Sequence, residues 1–321
     1  MKERLERHQV WFYLAAIGVG LGLGGARPDL ASHGELLIWP LLAGLLYTTF
    51  TQVPLRRLPL AFKDWRFMSA LLVGNFVVMP LCVGGLLQLL PDDPAIQLGV
   101  LLVLLVPCTD WFISFTHLGK GDAGRAVAAT PILLLGQFIA LPFYLWWFIG
   151  DVMVDAAIGE HLLYAFFGLI GLPLLLAGLT QRWAASHWRG DAVLDSLGWL
   201  PVPLLALVVG LVAATQVAMM NGILTMLGPV LLVFVLYLLL AVGVGKLLAR
   251  CWRLPLGRAR TLVFSLSTRN SFVVLPLALM LPTAWEATAV IIVLQSLVEL
   301  FAMALLIHWL PHYWLPAAIR Q

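Results

Sequence analysis

The chain has 321 residues, 62% of them hydrophobic and only 11% charged, with a net charge of +3 and a mean hydropathy of +0.98. So little polar surface excludes a water-soluble globule of this size and makes the chain an integral membrane protein. No basic stripe with interleaved aromatics stands outside the apolar runs, which excludes a nucleic-acid partner.

Apolar runs of about 20 residues recur along the chain, the length of a membrane-crossing α-helix; barrel strands would alternate and be half as long. Ten spans are predicted, at 10–26, 35–55, 67–90, 95–118, 126–149, 161–180, 193–215, 223–249, 261–281 and 287–309. The first follows a basic start (Lys2, Arg4, Arg7) but is long and lacks a convincing small-residue cleavage site, so it is expected to be an uncleaved helix. Its glycines, Gly18, Gly20, Gly22 and Gly24, allow close helix contact and resemble no phosphate loop. The third span carries Asn75 and the fifth Gln137, polar groups able to bind solute or to hold helices together.

The fourth span is interrupted by Pro107-Cys108-Thr109-Asp110 and the ninth by Ser267-Thr268-Arg269-Asn270. Pro107 lacks an amide donor and disfavours continuous helix, while Thr109, Asp110, Ser267, Thr268 and Asn270 are of the types that cap a following half-helix. The tenth span buries Glu299. A carboxylate or guanidinium inside hydrocarbon is expensive, so Asp110, Arg269 and Glu299 mark a binding site. The purely structural alternative makes Asp110 a cap and Arg269 a cation at the negative end of a half-helix.

Loop charge tests the span count. With the N-terminus cytoplasmic, every basic residue except Arg27 and the intramembrane Arg269 falls on the inner side, and the acidic loops at Asp92-Asp93 and at Asp151, Asp155 and Glu160 alternate with them. Both termini are expected in the cytoplasm of a multi-pass plasma (inner) membrane protein whose partners are the bilayer and a small solute. Five spans before the midpoint and five after, each set with a broken fourth member, give two inverted repeats, 1–155 and 156–321, whose discontinuous helices face one another at the midplane. If the pseudo-two-fold axis passes between the two strings, Asp110 and Arg269 approach each other, and pairing would relieve the cost of leaving either alone.

Three cysteines, Cys82, Cys108 and Cys251, have neither metal-ligand spacing nor a paired pattern, so no disulfide or metal site is expected. Cys108 lies inside the first break, where a thiol meets a soft, thiophilic solute. Asp110 and Glu299 are the proton-carrying candidates, because desolvation brings a buried carboxylate toward neutrality. No nucleophile elbow, Walker loop or metalloprotease helix is present, so the chain is not expected to be an enzyme, and no prosthetic cofactor is implied. A channel, or a membrane protein without transport, stands as a further alternative, and a homo-oligomer is compatible with the chain.

These strings resemble the bile acid/sodium symporter superfamily, and within it the arsenical-resistance branch of arsenite efflux permeases. Pro107-Cys108-Thr109 followed by Lys120-Gly121-Asp122 is similar to that branch's span-four signature, Gly74-Asn75-Phe76-Val77-Val78-Met79-Pro80-Leu81 to its third span, and Leu297-Val298-Glu299 to its last. The resemblance implies ten all-α transmembrane helices as two inverted five-helix repeats, a panel and a core domain, and crossing broken helices four and nine. It also implies arsenite or antimonite efflux in exchange for protons, with Cys108 the cysteine needed for transport. The substrate-binding set is then Cys108, Thr109, Asp110, Ser267, Thr268, Arg269, Asn270 and Asn75.

The chain departs from that pattern at the breaks. Asn270-Ser271-Phe272 is followed by Val273, where the branch has a functional glutamate; Asp110 replaces a small apolar residue; and Arg269 stands where sodium-coupled relatives tend to carry glutamine. A guanidinium there repels sodium or fills its place, which leaves proton coupling the expected mode. Two readings of Arg269 stay open, internal counter-ion to Asp110 or receptor for an anionic substrate, the latter belonging to an organic-anion symporter.

Overall fold

The computed structural model describes residues 2–26, 28–53, 64–109, 111–153, 166–215 and 227–316. Asp110 lies outside them, as do the basic segment at 54–63, the acidic residues Asp155 and Glu160, and the C-terminal Arg320. The described residues are almost wholly helical. In chain order they form α1 (Lys2–Ala26), α2 (Pro28–Gln52), α3 (Trp65–Val73), α4 (Met79–Leu87), α5 (Pro94–Leu104), α6 (Trp111–Leu118) and α7 (Ala123–Met153). There follow α8 (Leu172–Ala184), α9 (Gly190–Leu197), α10 (Pro201–Thr215), α11 (Leu227–Cys251), α12 (Leu256–Ser267), α13 (Ser271–Leu279) and α14 (Glu286–Trp309). Short π-helical turns at Gly74–Val78, Phe166–Gly171 and Leu310–Trp314 adjoin α4, α8 and α14.

Among the described residues five helical stretches are long and apolar enough to cross a membrane: Trp65–Leu87, Ala123–Phe148, Gly190–Thr215, Leu227–Cys251 and Glu286–Trp314. They coincide with the third, fifth, seventh, eighth and tenth predicted spans. The fourth is split into α5 and α6, and the ninth into α12 and α13, at the positions where the polar strings interrupt the sequence.

Side-chain caps set several helix starts. The Asp93 carboxylate accepts from the N–H groups of Ala95 (2.9 Å) and Ile96 (3.3 Å), with Pro94 as the first helical residue of α5, where its missing donor costs nothing. Asp122 accepts from Arg125 N–H at 3.0 Å and starts α7. Helices α6 and α11 end on basic residues in the left-handed region, Lys120 (φ 56°) and Arg253 (φ 50°). In each case the next N–H reaches back five residues, Gly121 to Thr116 O and Leu254 to Ala249 O, closing the helix end.

The chain folds as two compact units, each assembled from both halves of the sequence: 1–52, 156–225 and 275–290 in one, and 53–155, 226–274 and 291–321 in the other. In the first, α10 packs on α1 and α2, and α8 packs on α2. The α1–α10 contact is backbone-close: a Cβ on Gly20 would lie 2.1 Å from Gly210 O, and one on Gly24 2.1 Å from Ala214 O, while Gly18 and Gly22 face open space. Four residues separate the two contacting glycines, so they share one helix face. In the second unit α12 packs on α3, α6, α7 and α11, and α4 on α5 and α11, which surrounds both breaks with helices of that same unit.

Candidate functional site

Ending α5 and α12 in the apolar interior exposes carbonyls and N–H groups that water cannot reach, and these must find partners inside the protein. The two breaks supply them to each other. Pro107 and Arg269 form an isolated antiparallel bridge, in which Cys108 N–H donates to Thr268 O (3.3 Å) and Asn270 N–H to Val106 O (2.8 Å). The bonds fall on the residues flanking the bridged pair, so Pro107 occupies the one register position that asks no N–H of it.

Asn270 joins the breaks a second time through its side chain. Its Nδ2 donates to Thr109 Oγ1 at 3.1 Å, and its Oδ1 accepts from Val273 N–H at 3.3 Å, capping α13. Of the residue types expected to cap here, Asn270 does so, whereas Thr268 Oγ1 turns back onto Phe264 O (2.8 Å) within α12. Ser267 Oγ is buried with no partner among the described residues. The starts of α6 and α13 also touch, Trp111 lying edge-on to Phe272 with ring centroids 5.1 Å apart.

Arg269 is held at both ends. Its backbone N–H donates to Glu299 Oε2 at 2.8 Å, while its Nη2 donates to Asn75 Oδ1 (3.1 Å) and to Leu266 O (2.6 Å), the latter a terminal carbonyl of α12. Its guanidinium carbon lies 5.3 Å from the Tyr237 ring centroid. Nε and Nη1 are buried with no hydrogen-bond partner among the described residues. The contact with Leu266 O is the cation at a half-helix C-terminus that the sequence allowed. Two donors without a partner among the described residues, on a side chain only 3% exposed, go beyond capping. The expected pairing of Asp110 with Arg269 falls outside the described residues.

Asn75 sits in the π-helical turn Gly74–Val78, where one extra residue per turn displaces a side chain from the regular helical face. Its Nδ2 donates to Leu71 O (3.1 Å) and to Ser265 Oγ (3.1 Å), which leaves the amide oxygen directed at Arg269. The turn's backbone is anchored by Tyr144, whose hydroxyl donates to Phe76 O. Glu299 lies at the end of a relay, Ser271 Oγ donating to Gln295 Oε1 (2.7 Å) and Gln295 Nε2 to Glu299 Oε2 (2.8 Å).

The structure therefore gathers Cys108, Thr109, Ser267, Thr268, Arg269, Asn270, Asn75 and Glu299 about one junction, none more than 3% exposed. Gln137 is equally buried, but neither of its amide atoms has a partner among the described residues. Sequence reasoning missed Tyr237, Ser265, Ser271 and Gln295. Tyr237, a lone phenol in an otherwise apolar span, and Gln295, one helical turn before Glu299, carried the signal that could have found them. Among the described residues no cluster of His, Cys, Asp or Glu could hold a metal ion.

Long apolar helices combined with two interrupted ones, paired through a polar buried junction, define a multi-pass membrane transporter for a small solute. Residues 39–246, well over half of the chain, match the sodium bile acid symporter family, and the chain belongs to that family. The matched region includes the first break and ends before the second. No curated protein sequence matches the chain.

Proposed function

We propose that this chain is a secondary active transporter that exports arsenite or antimonite across the plasma membrane in exchange for protons, the solute binding at the junction of the two breaks. The observation that carries the reading is the place of Cys108, a thiol buried at the junction and tied by its backbone to Thr268 of the opposite break. Trivalent metalloids bind thiolate sulfur, and the neutral oxyacid is a partner for neighbouring hydroxyls such as those of Thr109 and Ser267. Glu299 carries the exchanged proton, with Asp110 as the second acid. The ten spans form two inverted repeats, 1–155 and 156–321, with both termini cytoplasmic, a reading supported by the distribution of basic residues.

A second reading is an organic-anion symporter, favoured by Nε and Nη1 of Arg269, which have no partner among the described residues and suit a carboxylate. Loading of inverted membrane vesicles under an imposed pH gradient separates the two. Arsenite accumulation that depends on the gradient and is lost in Cys108→Ser is the expected result; cation-driven uptake of a carboxylate, indifferent to Cys108→Ser, would establish the second reading.

A further inference from the structure

We propose that Arg269 is a resident cation: its guanidinium fills a site whose ligands suit a mobile monovalent cation, so this member of a family named for sodium operates without it. The inference rests on reading the junction as the transport site. Broken helices in transporters present half-helix C-terminal carbonyls and unwound backbone to a coupling cation. Here the group at that position belongs to the protein. Leu266 O, at the end of α12, accepts from Arg269 Nη2 at 2.6 Å and from the Tyr237 hydroxyl at 2.9 Å. The remaining ligands are of the same kind, the amide oxygen of Asn75 at 3.1 Å and the π face of Tyr237 at 5.3 Å. A carbonyl, a carboxamide oxygen and an aromatic face are all cation receptors, and these are the guanidinium's ligands among the described residues.

The surroundings are built to hold this orientation. Leu71 O and Ser265 Oγ take both donors of the Asn75 amide, so its oxygen is the atom presented to the charge. The Glu299 carboxylate, on the main-chain N–H of Arg269, supplies negative charge at the next peptide unit. A buried guanidinium is expensive to desolvate, and its retention at the junction of both breaks is what a coupling role explains and packing does not. A second cation brought within about 4 Å of it would bind on the order of a thousandfold more weakly than at the same ligands without the guanidinium.

The test uses the full chain purified in detergent, with no solute added, so the result does not depend on whether arsenite is the substrate. Thermal unfolding and binding of radiolabelled sodium are compared in sodium chloride and choline chloride for the wild type, Arg269→Ala, Arg269→Gln and Arg269→Lys. The wild type and Arg269→Lys should show no difference between the two salts. The neutral variants should gain saturable sodium binding and a sodium-specific rise in Tm of several degrees, or a comparable rise with millimolar guanidinium. Saturable sodium binding by the wild type overturns the proposal, as do folded neutral variants that respond to neither cation. Should neither neutral variant be recovered folded, wild-type binding alone decides: its presence refutes the resident cation, and its absence together with a sodium-indifferent Arg269→Lys supports it.

Discussion

Arg269 Nη2 donates to Asn75 Oδ1 at 3.1 Å, joining residues 194 positions apart in the sequence. The contact links a break in one interrupted helix to a π-helical turn in another, so each irregularity gives the other its reason. Without the π turn Asn75 would lie on a different helical face, and without the break Arg269 would continue α12.

Replacing Asn75 therefore removes one of the two hydrogen-bond acceptors that a buried cation has among the described residues. Asn75→Ala should destabilise the protein by about 1–3 kcal/mol, the cost of stranding a buried polar group, and abolish transport. Asn75→Asp keeps an acceptor and adds charge, so it should fold; Tm in detergent distinguishes the two variants, and wild-type stability in Asn75→Ala would contradict the assignment.

Asn270 caps α13 and bonds Thr109. Asn270→Ala should lose about 1 kcal/mol for the cap, with a further loss from Thr109, whereas Asn270→Ser should recover most of the cap alone. Comparing urea midpoints for these variants, each also in a Thr109→Val background, gives the coupling: a zero interaction term would mean that the 3.1 Å contact contributes nothing.

Glu299 accepts from the Arg269 backbone and from Gln295. Glu299→Gln keeps an acceptor at the same reach, so the fold should survive while pH-gradient-driven transport falls at least tenfold. Unchanged transport in the glutamine variant would leave Glu299 a packing residue. Glu299→Ala strands the amide of Arg269 and should lower Tm as well.

Gly20 and Gly18 lie in one helix and make opposite predictions. Gly20→Ala places a methyl against the Gly210 carbonyl and should cost about 1–3 kcal/mol. Gly18→Ala meets nothing and should leave Tm unchanged or slightly raised. A thermal scan of both purified variants checks the α1–α10 contact directly.

Much of this site is legible in the amino-acid sequence, for one reason: polar residues inside an apolar run stand out. Arg269, Asn270, Asn75 and Glu299 declare themselves by chemistry at odds with hydrocarbon, Cys108 and Thr109 by their place beside Pro107, and the breaks fall where Pro107 and the serine–threonine string interrupt the spans. Tyr237, Ser265, Ser271 and Gln295 are less conspicuous, because phenol, hydroxyl and amide groups are common in apolar helices and gain a role only from what they face. The glycines of α1 show the same limit, since an evenly spaced ladder does not say that Gly20 and Gly24 touch a neighbour while Gly18 and Gly22 do not.

The sequence by itself determined that the protein lives in a membrane and which two helices are interrupted, because burial in lipid penalises every exception to apolar composition locally, residue by residue. Only the tertiary structure decided which partner each exception meets: that Pro107 bridges Arg269, that Asn75 orients its oxygen to the guanidinium, and that Glu299 holds the main chain instead. Those pairings depend on how segments distant in sequence pack, and hydrogen bonds are satisfied by proximity in space, which composition and spacing do not encode.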